Sequence, residues 1–405
     1  MYLIQRCIFS FLNLFSGGAK AILDLHKKMK TYAPLLVELF LIVNSISGVH
    51  SWVKSLPTTF SGGRYRGGGT NARALICEVD NDERLDYEIL AKELERCEGE
   101  IIDTHLHLAP WFGDADALLE ELQRNNVSVG LLYDPYSKLA PPYDINTHTA
   151  MIAQQSNGRI YALASLNTTH DNWTDHREFE MQRLRDGLRH GCVLGTKLAP
   201  PHTCLPLNGP IMDDVLEVVN ESEQKLVAIH IGTTPSCGPL GKMWGIECNC
   251  EEECVDPSLL IPKIVAYPAV TFVLLHSGHE FLPAEVGAEG YYYDFRFTDE
   301  CIAMAREHDN VYLSISAIFA QHPNGTLKYP GGFETVRKMK EAGVTRKVFW
   351  GSDASYFRGQ IRPVLLTAIK AMIAAGWTPD ERAWALRGCA RHVFKIPSSP
   401  GATIE

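Results

Sequence analysis

Eight short apolar runs recur along the chain after Glu100, and most are followed by a longer segment whose apolar residues have helical spacing. This alternation is typical of a parallel sheet whose strands are joined by crossover helices. The predicted strands are EIIDTHLH, VSVGLLYDP, IYALASL, VLGTKLA, KLVAIHIG, VTFVLLHSG, NVYLSIS and KVFWGSD. Eight units over about 300 residues match the size of a (β/α)₈ barrel. The predicted fold class is therefore α/β, a (β/α)₈ TIM barrel with an irregular N-terminal extension.

Alternation alone does not distinguish a closed barrel from an open, doubly wound sheet. The placement of ionisable residues helps, because barrel active sites are assembled at the carboxyl ends of the strands. Reactive side chains end five of the predicted strands, and they are His105, His107, Lys197, His230, His276 and Asp353. Their convergence on one predicted rim favours closure.

The chain before Glu100 differs in composition from the rest. We expect residues 1–53 to be an apolar leader or a signal region, and residues 54–99 to be a Gly/Arg-rich linker with a charged lead-in helix. Residues 100–396 then form the barrel, and residues 397–405 form a tail. Charges on the lead-in helix, such as Glu93, are expected on its solvated face.

The apolar stretch Leu35–Val53 is long enough to cross a bilayer, but Glu38 and His50 inside it would be costly in hydrocarbon. We therefore expect no stable membrane span. If translation begins at Met29, residues 29–51 have the basic start, apolar core and small-residue end of a secretory signal. The protein is expected to be secreted if translation starts at Met29, and to be cytoplasmic if it does not.

The formal net charge of −10 gives no reason to expect nucleic-acid binding, which needs clustered positive charge. The expected partner is a small-molecule substrate, which the charge does not identify. Eleven cysteines spread through a long chain do not resemble a disulfide scaffold. One tract stands apart, with Cys237, Cys248, Cys250 and Cys254. It is either a small metal site or one or two disulfides, and its spacing matches no established zinc motif.

His105 and His107 lie two residues apart at a strand end, so both imidazoles project to the same side. A third imidazole from His230 and the carboxylate of Asp353 would complete a shell suited to zinc, with iron or manganese as alternatives. We therefore predict one divalent metal ion on these four residues. Such an ion activates water or polarises a carbonyl group.

The motifs IIDTHLH, AIHIG, LLHSG and WGSDA resemble the metal-binding motifs of the amidohydrolase superfamily. Residues 100–396 are most similar to its amidohydrolase-related branch, which contains metal-dependent hydrolases and decarboxylases similar to aminocarboxymuconate semialdehyde decarboxylase. The resemblance implies His105, His107, His230 and Asp353 as ligands. It also suggests a homodimer.

The resemblance further implies that His276 is the acid/base group beside the metal, a role that suits an imidazole of near-neutral pKa. Alternatively, His276 is a fifth ligand of the metal. Asp353 is expected to share the catalytic proton transfer. Lys197 either binds substrate or, if it is carbamylated, bridges two metal ions as in two-metal amidohydrolases. We prefer one metal.

Further candidates for substrate binding come from residues near the predicted strand ends. Arg296 and Arg358 could pair with a substrate carboxylate or with surface acids, and Trp111 could form an apolar wall. His279 and Glu280 follow His276 and could orient it or contact substrate.

Three functions compete. The preferred one is a metal-dependent hydrolase acting on an amide, ester or lactone carbonyl. The first alternative is a non-oxidative decarboxylase of a small aromatic or unsaturated carboxylic acid, and the second is a non-catalytic barrel. The presence of every expected ligand argues against the last.

Overall fold

A ring of short parallel strands forms the centre of this computed structural model. The strands are β1 (Ile102–His107), β2 (Val129–Tyr133), β3 (Ile160–Ala164), β4 (Val193–Leu198), β5 (Leu226–His230), β6 (Thr271–Leu275), β7 (Val311–Ser314), β8 (Val348–Phe349) and β9 (Ala354–Ser355). The structure describes residues 83–107, 115–133, 144–170, 172–234, 251–280, 295–319, 331–355 and 361–397. The expected leader, the Gly/Arg-rich linker and the expected tail from Ser398 onward lie outside these residues, so the predicted domain boundaries stay predictions.

The sheet closes through residues 348–355, which contain both β8 and β9. Each of the strands β1 to β8 pairs with its neighbour in sequence, and β9 pairs with β1. The predicted strand KVFWGSD is thus shorter than expected, since only Val348 and Phe349 lie in β8. Asp353, with φ 56° in the left-handed region, comes directly before β9. The predicted (β/α)₈ barrel is confirmed.

Helices follow the strands and cover the outside of the barrel. They are α1 (Glu83–Arg96), α2 (Ala115–Arg124), α3 (Ile145–Gln155), α4 (Trp173–Leu188), α5 (Pro200–Thr203), α6 (Pro210–Glu221), α7 (Glu252–Val255), α8 (Ile261–Ala266), α9 (Arg296–Glu307), α10 (Gly332–Glu341), α11 (Ile361–Ala374), α12 (Pro379–Ala383) and α13 (Cys389–Phe394). Short 3₁₀ turns lie at Pro257–Leu260, His276–Gly278 and Thr345–Lys347, and a π turn lies at Trp384–Gly388. None of the helices within the described ranges is both long and apolar enough to cross a membrane.

Local sequence signals start several of these helices. Asp144 accepts a hydrogen bond from the backbone N–H of Thr147 at the start of α3. Thr378 and Glu381 form a capping box at the start of α12. Pro210 occupies the first turn of α6, where a missing N–H costs nothing.

Two faces of the sheet pack into two separate groups of apolar side chains. The inner cluster fills the barrel with residues from its strands, which are Ile102, Val129, Leu131, Tyr133, Tyr161, Leu163, Leu194, Leu226, Ala228, Val273, Leu275 and Phe349. Helix α13 adds Cys389, Ala390, Val393 and Phe394 to this cluster. The alternate strand residues pack against the surrounding helices in an outer cluster, as Ile229 and Leu274 do.

Strand β1 changes face along its length. Ile102 belongs to the inner cluster and Leu106 to the outer one, although a regular strand would place both on one face. The pairing with β2 shifts register between Asp103 and Leu106. This bulge turns His105 into the barrel, where its ring lies 4.6 Å from that of Tyr133 in the inner cluster.

Strand β4 has a similar irregularity. Leu194 packs in the inner cluster and Leu198 in the outer one, and the register with β3 shifts between them. Gly195, with φ 155°, approaches the backbone of Leu226 so closely that a Cβ would lie 2.8 Å from its carbonyl oxygen. The shift brings Lys197 into the barrel.

The lead-in helix α1 is attached to the barrel by a buried ion pair. Glu93 is only 1% exposed, and its Oε1 accepts hydrogen bonds from Nε (3.1 Å) and Nη2 (2.8 Å) of Arg382. The expectation that Glu93 lies on a solvated face is therefore wrong. The charge is tolerated inside because the guanidinium compensates it.

Candidate metal centre

Three ligand atoms meet at the carboxyl end of β1. His105 Nε2 lies 2.9 Å from Asp353 Oδ1, His107 Nε2 lies 3.1 Å from the same oxygen, and the two nitrogens are 3.0 Å apart. Ligands of a tetrahedral zinc ion, at about 2.0–2.1 Å from it, are roughly 3.3 Å from one another. The spacing therefore fits one shared cation, and these residues form a group that can hold a metal.

The backbone around these ligands is fixed by a buried carboxylate. Asp103 Oδ1 accepts hydrogen bonds from the N–H of His105 at 3.1 Å and from the N–H of Ser352 at 2.8 Å. The N–H of Asp353 in turn donates to the carbonyl of His105 at 2.8 Å. These bonds join β1 to the turn that carries Asp353, so the two sides of the site cannot separate without breaking them.

The protonation states suit a cation. Burial lowers the pKa of His105 well below its usual range, against the opposing effect of Asp353. Burial also raises the pKa of Asp353, but His105, His107 and His276 outweigh this and hold it well below its usual range. The group thus contains the neutral imidazole of His105 beside the ionised carboxylate of Asp353, and these are the forms that bind metals.

His276 begins the turn after β6 and has φ 60°, in the left-handed region. Its Nδ1 lies 3.0 Å from the carbonyl oxygen of Ser316, and its ring centroid lies 5.1 Å from that of His105. Burial lowers the pKa of His276 to about 4. Because a carbonyl oxygen only accepts, Nδ1 carries the proton, and the lone pair of the neutral ring is on Nε2.

His230, the predicted fourth ligand, lies beside His276 rather than inside the three-atom group. The ring centroids of these two residues are 4.3 Å apart. Nε2 of His230 is buried and has no hydrogen-bond partner among the described residues. A buried imidazole nitrogen without a partner is costly, and a cation would remove that cost.

Lys197 is buried in the barrel with 2% of its surface exposed. Its Nζ lies 5.1 Å from the centroid of the Tyr133 ring, in a cation–π arrangement. Burial lowers the pKa of Lys197 to about 7, while Asp353 opposes the shift. The amine is therefore close to balance between its charged and neutral forms near neutral pH.

Three neighbours of the site were not singled out from the sequence. Ser316 contacts both His105 and His276, Tyr133 contacts His105 and Lys197, and the ring of His202 lies 5.0 Å from that of His230. Ser316 could have been found in NVYLSIS as a polar residue at a strand end. His202 in APPHT, four residues after Leu198, gave no periodic signal.

The remaining candidates have different positions. Arg296 is 47% exposed and pairs with Glu252 and Asp256, each at 2.8 Å, which matches the alternative of a surface ion pair. His279 and Glu280 are both buried close to His276. Trp111 and Arg358 lie outside the described residues, as do Cys237, Cys248 and Cys250, whereas Cys254 is buried.

One known protein family matches the second half of the sequence. The sequence model of a family described as "Amidohydrolase" matches residues 198–396, which include His230, His276 and Asp353. Residues 198–396, about half of the chain, thus match the amidohydrolase family. A search of curated proteins gives no match for the chain.

Several solved structures are similar in fold to this barrel. A probable 2-pyrone-4,6-dicarboxylic acid hydrolase from Acinetobacter baumannii, with citric acid bound, has 17% identity and a TM-score of 0.46, over 73% of this chain and 99% of its own. A putative amidohydrolase from Staphylococcus aureus has 11% identity and a TM-score of 0.48, over 73% and 100%. The 5-carboxyvanillate decarboxylase from Novosphingobium aromaticivorans, complexed with manganese and a nitrobenzoic acid, has 12% identity and a TM-score of 0.46. The match covers 73% of this chain and 96% of that structure's chain. None assigns a reaction to this chain.

Proposed function

We propose that this chain is an amidohydrolase, a metal-dependent hydrolase that uses one divalent ion, zinc in the first instance, to cleave an amide, ester or lactone. The observation that carries the proposal is the meeting of His105 Nε2, His107 Nε2 and Asp353 Oδ1 within 3.1 Å of one another at the barrel mouth. His230 is proposed as the fourth ligand because its buried Nε2 has no hydrogen-bond partner within the described ranges. Iron and manganese are the alternative ions.

A bound divalent ion supplies Lewis acidity, which polarises a substrate carbonyl and lowers the pKa of water. His276 is the proposed general base. Its Nδ1–H is committed to the carbonyl of Ser316, so the Nε2 lone pair is left to accept a proton from the attacking water. Protonated at Nε2, the same ring can return the proton to the leaving group.

Asp353 has two proposed roles, as a ligand and as a partner in proton transfer. Its Oδ1 is shared by His105 and His107, and the low pKa of the carboxyl group keeps it ionised throughout. An ionised carboxylate can orient the attacking water by accepting a hydrogen bond from it. Asparagine at this position would keep the shape and lose that charge.

Lys197 is proposed to bind the anionic end of a substrate or the negative charge that develops on the carbonyl oxygen. The ammonium is buried against Tyr133, where an anion would meet little competition from water. In the alternative, a carbamylated Lys197 bridges two metal ions. We prefer one metal, since among the described histidines, cysteines and acids a single donor group is found.

The first experiment is metal analysis of the purified full chain, followed by a substrate panel. We expect about one equivalent of zinc, iron or manganese. Chelation should abolish turnover, and adding the metal back should restore it. Less than half an equivalent, with no activity after zinc or manganese is added, would refute the metal enzyme and favour a non-catalytic barrel.

The panel contains lactones and aromatic carboxylic acids, and each is scored for ring opening and for carbon dioxide release. Hydrolysis without carbon dioxide supports the proposal. Carbon dioxide alone from a competent substrate replaces it with the decarboxylase alternative. His276→Asn should retain the metal and lose about 10²–10⁴-fold in kcat, which is the usual contribution of a general base.

A further inference from the structure

We propose that Ser316 is a positioning residue whose hydroxyl group accommodates both tautomers of His105 and thereby sets the affinity of the site for its metal. The proposal rests on the function proposed above. Ser316 is completely buried and lies two residues beyond β7, opposite the ends of β1 and β6. It is the shared partner of a candidate ligand and of the candidate base.

The contacts of Ser316 involve both of its oxygens. The hydroxyl Oγ lies 2.9 Å from His105 Nδ1 and 3.2 Å from His276 Nδ1, and the carbonyl oxygen lies 3.0 Å from His276 Nδ1. Because the carbonyl only accepts, His276 Nδ1 is the donor in this pair. The hydroxyl hydrogen of Ser316 therefore cannot be directed at His276, and it is left for His105.

His105 has two ways to satisfy its ring nitrogens, and each needs a different role of the hydroxyl. With a proton on Nε2, the ring donates to Asp353 Oδ1 at 2.9 Å, and its Nδ1 accepts from the Ser316 hydroxyl at 2.9 Å. With a cation on Nε2, the proton must lie on Nδ1, which then donates to the same hydroxyl oxygen. A hydroxyl serves both states, because it can donate or accept by rotating.

An alanine at this position removes the acceptor. The Nδ1–H of His105 would then be buried without a partner, since His105 is only 1% exposed. The metal-loaded state cannot avoid this cost, because it requires the Nδ1–H tautomer. In the metal-free state the ring can keep its proton on Nε2 and donate it to Asp353, which leaves only an unpartnered lone pair on Nδ1. Loss of an outer partner of a metal-binding histidine typically weakens metal affinity about 10–100-fold.

Ser314 provides a matched control on the same segment. It is also completely buried, and its Oγ has no hydrogen-bond partner in the part of the chain that the structure describes. Ser314→Ala removes the same atom two residues earlier in the chain, at the end of β7, without removing a contact to either histidine. A general effect of losing a buried hydroxyl near the site would therefore appear in both variants.

The test compares zinc affinity of the full chain, measured by chelator competition, with urea unfolding of the metal-free protein. We expect Ser316→Ala to bind zinc about 10–100-fold more weakly than the wild type, while Ser314→Ala binds normally. Ser316→Thr, which keeps the hydroxyl, should recover most of the affinity. At saturating zinc the turnover of Ser316→Ala should recover, because the backbone carbonyl still orients His276.

Zinc affinity of Ser316→Ala within twofold of a zinc-binding wild type would overturn this inference and leave the proposed function standing. Equal losses in Ser316→Ala and Ser314→Ala would overturn it as well, since the effect would then be general. A wild type that binds no divalent metal overturns both proposals. Should Ser316→Ala fail to fold, Ser316→Cys tests the same point, because a thiol is a weak acceptor of similar size.

Discussion

Gly351 is the position where one added methyl group should disturb the candidate metal centre most directly. It lies between β8 and β9, against the backbone of β1. A Cβ built on Gly351 would lie 2.8 Å from His105 Cβ, 2.9 Å from Thr104 Oγ1 and 3.0 Å from His105 N. None of these atoms is the end of a long flexible side chain, so the clash can be relieved only by moving a strand.

The size of that movement follows from the contact distances. Ordinary contacts of a Cβ begin at 3.4 Å, so the three atoms must retreat by 0.6, 0.5 and 0.4 Å. Overpacking of this kind costs about 1–3 kcal/mol of folding free energy. It also separates His105 from Asp353 by more than the roughly 0.2 Å that metal–ligand distances tolerate. We expect Gly351→Ala to weaken zinc binding about 10–100-fold.

Urea unfolding of the metal-free protein and zinc competition measure the two effects separately. Gly191→Ala is the control, because a Cβ there meets no atom within 4 Å. Wild-type zinc affinity and wild-type stability in Gly351→Ala would refute the argument that this turn fixes the ligand positions. A loss of stability with unchanged zinc affinity would show that the strand moves without its ligands.

Three further predictions concern buried ionisable groups. The folded pKa of His276, about 4, lies below the roughly 6.5 of an unfolded histidine. The free energy of unfolding of the metal-free protein should therefore fall as the pH is lowered from about 6.5 toward 4. His276→Asn should reduce the slope of this free energy against pH by up to about 1.4 kcal/mol per pH unit. Equal slopes for the two proteins in urea unfolding at several pH values would contradict this. Lys197→Ala should leave one metal per chain, whereas a fall from two to one would establish the bridged alternative. Arg382→Met should cost up to about 3–5 kcal/mol, because Arg96 then remains as the partner of the buried Glu93 Oε1, and an unchanged urea midpoint would show that Arg96 alone compensates the charge.

The barrel was predictable because its signal is periodic. Each strand is short, apolar and β-branched, and each helix repeats its apolar residues at three and four, so the element types follow from the sequence without knowledge of contacts. The ends of strands such as KLVAIHIG and VTFVLLHSG also placed His230 and His276 at one rim. Closure was harder to predict, since KVFWGSD contains only the two-residue strand β8 and the pairing with β1 comes from β9, directly after it.

The site was predictable only in part because its geometry depends on departures from that periodicity. Simple alternation puts Ile102 and Leu106 on one face, and it gives no reason for the bulge that turns His105 inward. The sequence gives no reason to connect Ser316 with the histidines, because its contacts with His105 and His276 depend on the position of β7 between β6 and β8 in the sheet. Glu93 was misplaced because its partner Arg382 is 289 residues away in sequence.

Backbone strain shows why these departures persist. Asp353 and His276 both have positive φ, at 56° and 60°, a conformation that costs a residue other than glycine on the order of 1–2 kcal/mol. Glycine would remove the strain at either position, but it has neither the carboxylate proposed as a ligand nor the imidazole proposed as a base. At Asp353 the cost is offset by the hydrogen bonds that Asp103 accepts from the N–H groups of His105 and Ser352. Asp103 thus belongs to the site without touching a cation, because it holds the strained turn against the strand that carries both histidines.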